Sequence, residues 1–447
     1  MLDWLSNKLQ GPKLCAFVNW SRRHPRTVLF AAVFLVYIPS WLVMPGDITV
    51  MGGGDSVDYI RLAHSLLEGK GYPSFYRAPL YPFLLTVPVR LAGDSLFIFR
   101  MLNAFFHALT LLMLFSLTGK LASRRAAWIF AAFFLVYPHL VYQAANILTE
   151  SLFMFLVAGT VSLLYSRKPG NRVVFWAGVL SGLAMLTRPN FIVFLPLAAF
   201  YLWHSGNFRL PGIKRAAIYL AFTALTISPW TAYNYIRSGG ALIPVTTGGG
   251  YNFWLGNSIF TMDSFFIDRG RELGGYFGVN PAETAQMTQK DRIRPETFHS
   301  PFMNIGQAEK LFYRQSFRLF GDHPLLFARL YAVKFLNALR PWSDPRSRYD
   351  ENTAKVLLTA VFCLPLLILG LAGMAALWRK NPPGAGLLSI PVVSGFLFLV
   401  LFWPSQRFRI PLMDPYLMIF FSYALDRLID RLRHPAPPEK TRPLLES

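Results

Sequence analysis

Apolar runs of about 20 residues, the length a helix needs to cross hydrocarbon, recur along the chain. They fall near 28–45, 97–118, 127–145, 149–165, 216–233, 354–378, 385–403 and 410–425. A further apolar stretch, 173–203, is broken by Arg188-Pro189-Asn190 and is too short for two full spans. It predicts a hairpin of two short helices that turns below the membrane surface, which brings the expected number of helices to ten. The pattern therefore predicts an all-α polytopic membrane protein.

Composition agrees. Hydrophobic residues make up 53% of the chain and charged residues 15%, against about 25% charged in soluble proteins. A disordered chain and a soluble single-core enzyme are both excluded. The first run, 28–44, lacks an A-x-A-like exit and is expected to be a retained anchor rather than a cleaved signal. Of the two cysteines, Cys363 lies inside an apolar run far from Cys15, so no disulfide framework is expected.

The net charge of +21 would raise nucleic acid in a soluble protein. Here the basic residues sit in short clusters between apolar runs, as orientation signals do, and no nucleic-acid partner is expected. With the N-terminus inside, segments 1–27, 119–126, 166–172, 204–215, 379–384 and 426–447 hold 21 Lys and Arg against five acids. Segments 46–96 and 234–352 hold 18 basic and 16 acidic residues. The positive-inside rule then puts both termini in the cytoplasm and both long segments outside. The expected organisation is a cytoplasmic segment 1–27, a transmembrane module 28–233 carrying the outer loop 46–96, a large outer loop 234–353, C-terminal membrane helices 354–425 and a cytoplasmic tail 426–447.

Outer segments this long are more than connectors. The first predicts an amphipathic helix over 56–68, closed by Gly69; the second ends in an amphipathic stretch, 323–342, suited to lying on the membrane. No internal repeat at a fixed period is evident, so an inverted-repeat transporter is not supported.

Ionisable residues near membrane depth carry a functional hypothesis by default. In this topology they gather at the outer ends of the hairpins: Glu150 after His139, Gln143 and Asn146; Arg188 in the short hairpin; Arg407 and Arg409 in the last one. The first outer loop adds Asp55, Asp58, Tyr59, Arg77 and Tyr81. Bland readings stand beside these. Asp55 and Asp58 fit the N-cap and N3 positions of the helix, Glu150 could face interfacial water, and Arg188 could snorkel. Arg407 and Arg409 run against the orientation bias, which makes plain anchoring a weaker explanation for them. The eight histidines show no metal-ligand spacing.

A cavity of both signs framed by membrane helices suits a substrate with a charged head and a greasy tail, such as a lipid-linked phosphate. Arginine grips phosphate oxygens with a planar fork, and a neighbouring carboxylate can accept a proton from a hydroxyl.

At these residues the chain resembles the GT-C membrane glycosyltransferases, in the family 39 branch of protein mannosyltransferases and aminoarabinose transferases. The resemblance rests on Gly53-Gly54-Asp55 with Tyr59 and Gly69-Lys70-Gly71-Tyr72, on Arg77-Ala78-Pro79-Leu80-Tyr81-Pro82, on Thr149-Glu150 and on Thr187-Arg188-Pro189-Asn190. It continues through Ser228-Pro229-Trp230-Thr231-Ala232-Tyr233-Asn234-Tyr235, Gly256-Asn257 and Arg407-Phe408-Arg409-Ile410-Pro411. It implies a GT-C fold, a polyprenyl-phosphate-linked sugar donor, a lipid, glycan or protein acceptor, and an extracytoplasmic site with inversion at the anomeric carbon. The membrane implied is the inner membrane of a bacterium. The resemblance assigns the catalytic base to Asp55, and Asp58 and Glu150 become candidates for a second acid or for metal. Arg77, Arg188, Arg407 and Arg409 are candidates for the donor phosphate, and Tyr59, Tyr81 and His139 for the cavity wall. Many relatives have two adjacent acids where this chain has Asp55-Ser56. Some bind a divalent metal, which the sequence leaves open. The reading from another class is a polyprenyl-phosphate lipid transporter or flippase that uses the cavity only to bind.

Overall fold

The structure, a computed structural model, describes residues 23–42, 44, 53–165, 169–258, 305–341, 353–403 and 405–433. Among them the secondary structure is helical. In order come α1 (Pro25–Trp41), α2 (Gly53–Leu67), α3 (Leu80–Ala92), α4 (Leu96–Leu121), α5 (Arg124–Val136), α6 (Pro138–Ala145), α7 (Glu150–Leu164) and α8 (Asn171–Thr187). A 3-10 turn, Pro189–Val193, leads to α9 (Phe194–Ser205), α10 (Leu210–Arg237) and α11 (Gly248–Gly256). The remainder are α12 (Ile305–Asp322), α13 (Pro324–Ala338), α14 (Thr353–Lys380), α15 (Pro382–Leu401), α16 (Gln406–Arg409) and α17 (Asp414–Arg433).

Four of these helices, α4, α10, α14 and α15, are long and apolar enough to cross a membrane. A fifth span results if α5 and α6 count as one; they are bent by 52° where the sequence suggested a continuous run. The cause is Pro138, which lacks an N–H and opens α6, while Tyr137 before it takes an extended ψ of 113°. Shorter apolar helices, α1, α3, α7 and α8, complete the apolar set. The protein is an integral membrane protein, and large apolar side chains such as Leu35, Leu91 and Leu225 stand exposed on its flanks. Lipid is the solvent that makes such exposure tolerable.

Helices here gain little from hydrophobic burial against one another, because lipid tails are as apolar as leucine; close approach of small residues matters instead. On α8, Gly178 and Gly182 sit one turn apart against α10. A Cβ on Gly182 would come 2.5 Å from the Thr226 Cβ, and one on Gly178 would come 2.6 Å from the Tyr219 carbonyl oxygen. Thr223 uses the same approach to donate to the Gly178 carbonyl at 3.1 Å.

Polar side chains fix the helix ends. Ser123 caps α5 by accepting from the Ala126 N–H, and also donates to Asp426 at 2.8 Å. Arg125 binds Asp426 and Asp430, which joins the start of α5 to the far end of α17. The expected hairpin over 173–203 is present as α8, the 3-10 turn and α9. Trp342, at the end of the expected amphipathic stretch, lies outside the described residues, as do Cys15 and most of both termini.

Candidate functional site

Helix α2 starts at Gly53, two residues before Asp55, so the expected N-cap and N3 placements of Asp55 and Asp58 do not hold. Asp55 lies in the first helical turn, and both carboxylates turn to one guanidinium. Arg77 Nη2 is 2.6 Å from Asp55 Oδ1 and 2.8 Å from Asp58 Oδ2, with Arg77 Nε 3.2 Å from the same Asp58 oxygen. The turn that presents Arg77 is held locally. Ser74 Oγ accepts the N–H groups of Tyr76 and Arg77, and the Tyr72 hydroxyl donates to the Arg77 and Ala78 carbonyls. The rings of Tyr59 and Tyr76 flank the Arg77 guanidinium at 5.5 and 5.1 Å. Tyr59 in turn stands edge-on to Tyr81, whose hydroxyl reaches Asn103.

Glu150 opens α7 with no exposed surface, where a carboxylate also meets the positive end of the helix. The linker before it is tied down from two sides. Asn103 donates to the Asn146 carbonyl at 2.6 Å and Arg100 to that of Ala145 at 3.1 Å, both from α4. Ser56, buried on α2, donates to the Ile147 carbonyl at 3.1 Å. Ser56 thus docks the helix bearing Asp55 against the segment bearing Glu150.

Arg188 ends α8 in an extended conformation forced by the following proline. Its Nη1 lies 2.8 Å from Glu150 Oε1 and donates to Thr149 Oγ1 at 3.2 Å. From the last hairpin, Arg407 Nε donates to Glu150 Oε1 at 2.6 Å and Nη1 to Asp55 Oδ2 at 2.5 Å. Arg407 therefore joins acids 257 and 352 residues away in sequence. Three arginines (77, 188, 407) meet three carboxylates (55, 58, 150) in one chain of ion pairs. The Arg407, Asp58 and Asp55 side chains are 36%, 32% and 25% exposed, whereas Glu150 is sealed. A ligand can reach Asp55 and Arg407. Burial raises the Asp55 carboxyl, but the guanidiniums of Arg407 and Arg77 outweigh it and hold Asp55 below its ordinary range.

Arg409 is not brought to this cluster. It is fully buried beside Asp414. His139, on α6, lies with its ring edge-on to Tyr137, 5.4 Å away, next to that second group. Sequence reasoning missed Arg100 and Asn103, although polar residues inside the apolar run of α4 were a usable signal. It also passed over Tyr137 and Asp414.

The residues do not fit a divalent metal. Among the described residues no group of three or more His, Cys, Asp or Glu could hold one, and Asp55, Asp58 and Glu150 all face guanidiniums.

Residues 76–233 match the family model described as dolichyl-phosphate-mannose-protein mannosyltransferase. The matched stretch, about a third of the chain, contains Arg77, Glu150 and Arg188. No curated protein matches the chain. Among solved structures, the archaeal oligosaccharyltransferase AglB from Archaeoglobus fulgidus, in complex with an inhibitory peptide and a dolichol-phosphate, is 16% identical with a TM-score of 0.55. The match covers 93% of this chain and 51% of that one. The apo form of the Archaeoglobus fulgidus oligosaccharyltransferase gives 16% identity and a TM-score of 0.53, over 92% and 51% of the two chains. ArnT from Cupriavidus metallidurans bound to undecaprenyl phosphate is 13% identical over 92% and 79% of the chains, at a TM-score of 0.42 that carries no argument. The likeness to the archaeal enzymes is one of fold, and this chain spans about half their length.

Proposed function

We propose that the protein is an inverting glycosyltransferase that moves a sugar from a polyprenyl-phosphate donor to a hydroxyl acceptor on the extracytoplasmic face of the membrane. The carrying observation is Asp55, a partly exposed carboxylate held between Arg77 and Arg407 in the ion-pair chain. The match of residues 76–233 to a family named for a lipid-phosphate-sugar donor supports the same reading. In this reading the topology follows the basic clusters, with α1, α7, α17 and the α8–α9 hairpin embedded beside the longer spans, making about ten transmembrane helices.

In the reaction, Asp55 accepts the proton of the acceptor hydroxyl as its oxygen attacks the anomeric carbon. The carbon–oxygen bond to the lipid phosphate breaks, and the bonding pair leaves with the phosphate. Arg407 stabilises the charge that develops there, with Arg188 behind it on the shared Glu150. The resting arrangement makes Asp55 a weak base, because two cations hold it ionised. A donor phosphate that takes over Arg407 frees Asp55 from one of them and raises its basicity, so donor binding prepares the base. Mass spectrometry of glycolipids and envelope glycans, with and without the protein, tests the reading. A sugar-sized mass present only with active protein is expected. Unchanged glycans, together with lipid phosphate moved across the bilayer, would make the protein a transporter.

A further inference from the structure

Arg407 and Arg409 stand two residues apart on α16, a single helical turn, so they project to nearly opposite sides. A helix of one turn has almost no stability of its own; whatever aims Arg407 must come from what α16 packs against. Arg409 has the anchoring contacts. Its Nη1 donates to the Arg340 carbonyl beyond α13 at 2.7 Å, and its Nε lies 3.1 Å from Asp414 Oδ1 at the start of α17. Its Nη2 lies 3.4 Å from Cys363 Sγ on α14. The Tyr137 hydroxyl, at the α5–α6 break, donates to the other Asp414 oxygen at 2.7 Å and lies 3.0 Å from the same sulfur. Gln406 donates to the Arg340 carbonyl as well, at 3.2 Å. On the opposite side Phe408 lies under the Arg188 guanidinium, 5.1 Å away.

We propose that Arg409 is a positioning residue: with Asp414, Tyr137 and Cys363 it forms a buried anchor that fixes α16 and so aims Arg407 at Asp55 and Glu150, and it does not touch the donor. A side chain with no exposed surface, ion-paired to a carboxylate equally buried, has no face left for a phosphate. The proposal rests on the reading of Arg407 as a donor-phosphate ligand.

The consequence reaches Asp55. Its charge environment comprises Arg407 from α16, which is shared with Glu150 of α7, and Arg77 from the first outer segment, which is shared with Asp58; Asp58 and Tyr59 lie on its own helix. If α16 loses its anchor, Arg407 drifts from Asp55 and the Asp55 acid moves back up toward its ordinary range. The acid limb of the kcat/KM profile, which reports the free enzyme, should then move to higher pH. General loosening of the fold would lower activity without moving that limb.

The experiment uses the full chain with Cys15→Ser, which leaves Cys363 as the remaining thiol. Arg409→Lys, Asp414→Asn and the milder Tyr137→Phe are compared with Arg407→Ala for the pH profile, for affinity toward isolated polyprenyl phosphate, and for maleimide labelling of Cys363. Losses of about ten- to a hundredfold in kcat/KM are expected for Arg409→Lys and Asp414→Asn, the scale of one charge-assisted hydrogen bond. They should be non-additive when combined and should come with an upward acid limb and faster labelling. Tyr137→Phe should do the same more weakly, so the proposal remains testable if the stronger variants fold poorly. Overturning results are an unmoved acid limb in all three, or loss of donor affinity in Arg409→Lys with Asp414→Asn normal, which would make Arg409 a phosphate ligand. Donor affinity unchanged by Arg407→Ala would instead remove the reading beneath.

Discussion

Arg407 divides one guanidinium between an acid that a substrate can reach and one that it cannot. Lysine has the charge but a single ammonium in place of the planar fork, and cannot serve both carboxylates in the same geometry. Arg407→Lys is expected to weaken donor binding and transfer less than Arg407→Ala, with the alanine change costing about ten- to a hundredfold; titration with isolated polyprenyl phosphate measures it. Equal loss in the two variants would contradict bidentate grip. Glu150 makes a different case. Glu150→Gln leaves Arg188, only 9% exposed, without its carboxylate, and unpairing one member of a buried pair costs roughly 3–5 kcal/mol. A lower thermal midpoint is expected for Glu150→Gln, and a smaller drop for Asp55→Asn, whose site is more open. The reverse order would mean that the sealed end of the cluster does not hold the fold.

At the scale of elements, α8 and α10 meet through Gly178 and Gly182. Gly182→Leu should lower the thermal midpoint and yield of folded protein sharply, whereas Gly321→Ala on α12, with nothing within 4 Å of its Cβ, should not; equal midpoints would show that close approach is dispensable. In the outer region, Glu309 on α12 accepts the Gly250 N–H of α11 at 2.5 Å. Burial lifts its carboxyl to about 7, against the lowering effect of that bond. A carboxyl raised by folding supports the fold at low pH and ceases to do so as pH climbs through about 7. Amide exchange at Gly250, corrected for intrinsic rate, should therefore quicken between pH 6 and pH 8, and Glu309→Gln should abolish the change. Flat exchange would mean that the two helices do not depend on this acid. Periodicity made many elements legible: the helix expected over 56–68 is seen as Gly53–Leu67, and the stretch 323–342 as Pro324–Ala338. Helix α3 was hidden by Pro82 and Pro88, and α11 by its run of glycines, since both read locally as loop. The acids and arginines of the site were legible as residue types out of place in apolar surroundings. Their pairing was not, because which face of a one-turn helix carries Arg407 depends on the buried partners of Arg409, which come from four other parts of the chain.

For the whole molecule, the basic clusters and the ion-pair chain make linked claims: the site faces outward only if the termini face inward. Cysteines introduced at the exposed positions Lys70 and Arg318 should react with an impermeant thiol reagent on intact cells, and one at Arg124 only after permeabilisation. The opposite pattern would put Asp55 on the cytoplasmic side and remove the extracytoplasmic donor. The most direct test of the central claim is the Asp55→Asn protein. The change is nearly isosteric, keeps a polar side chain beside Arg77 and Arg407, and removes the basic carboxylate. With purified protein, isolated polyprenyl phosphate should still bind within a few-fold of wild type. In cells, the sugar-bearing product seen by mass spectrometry with the wild-type chain should be absent. Product formed by Asp55→Asn at the wild-type rate would contradict the account.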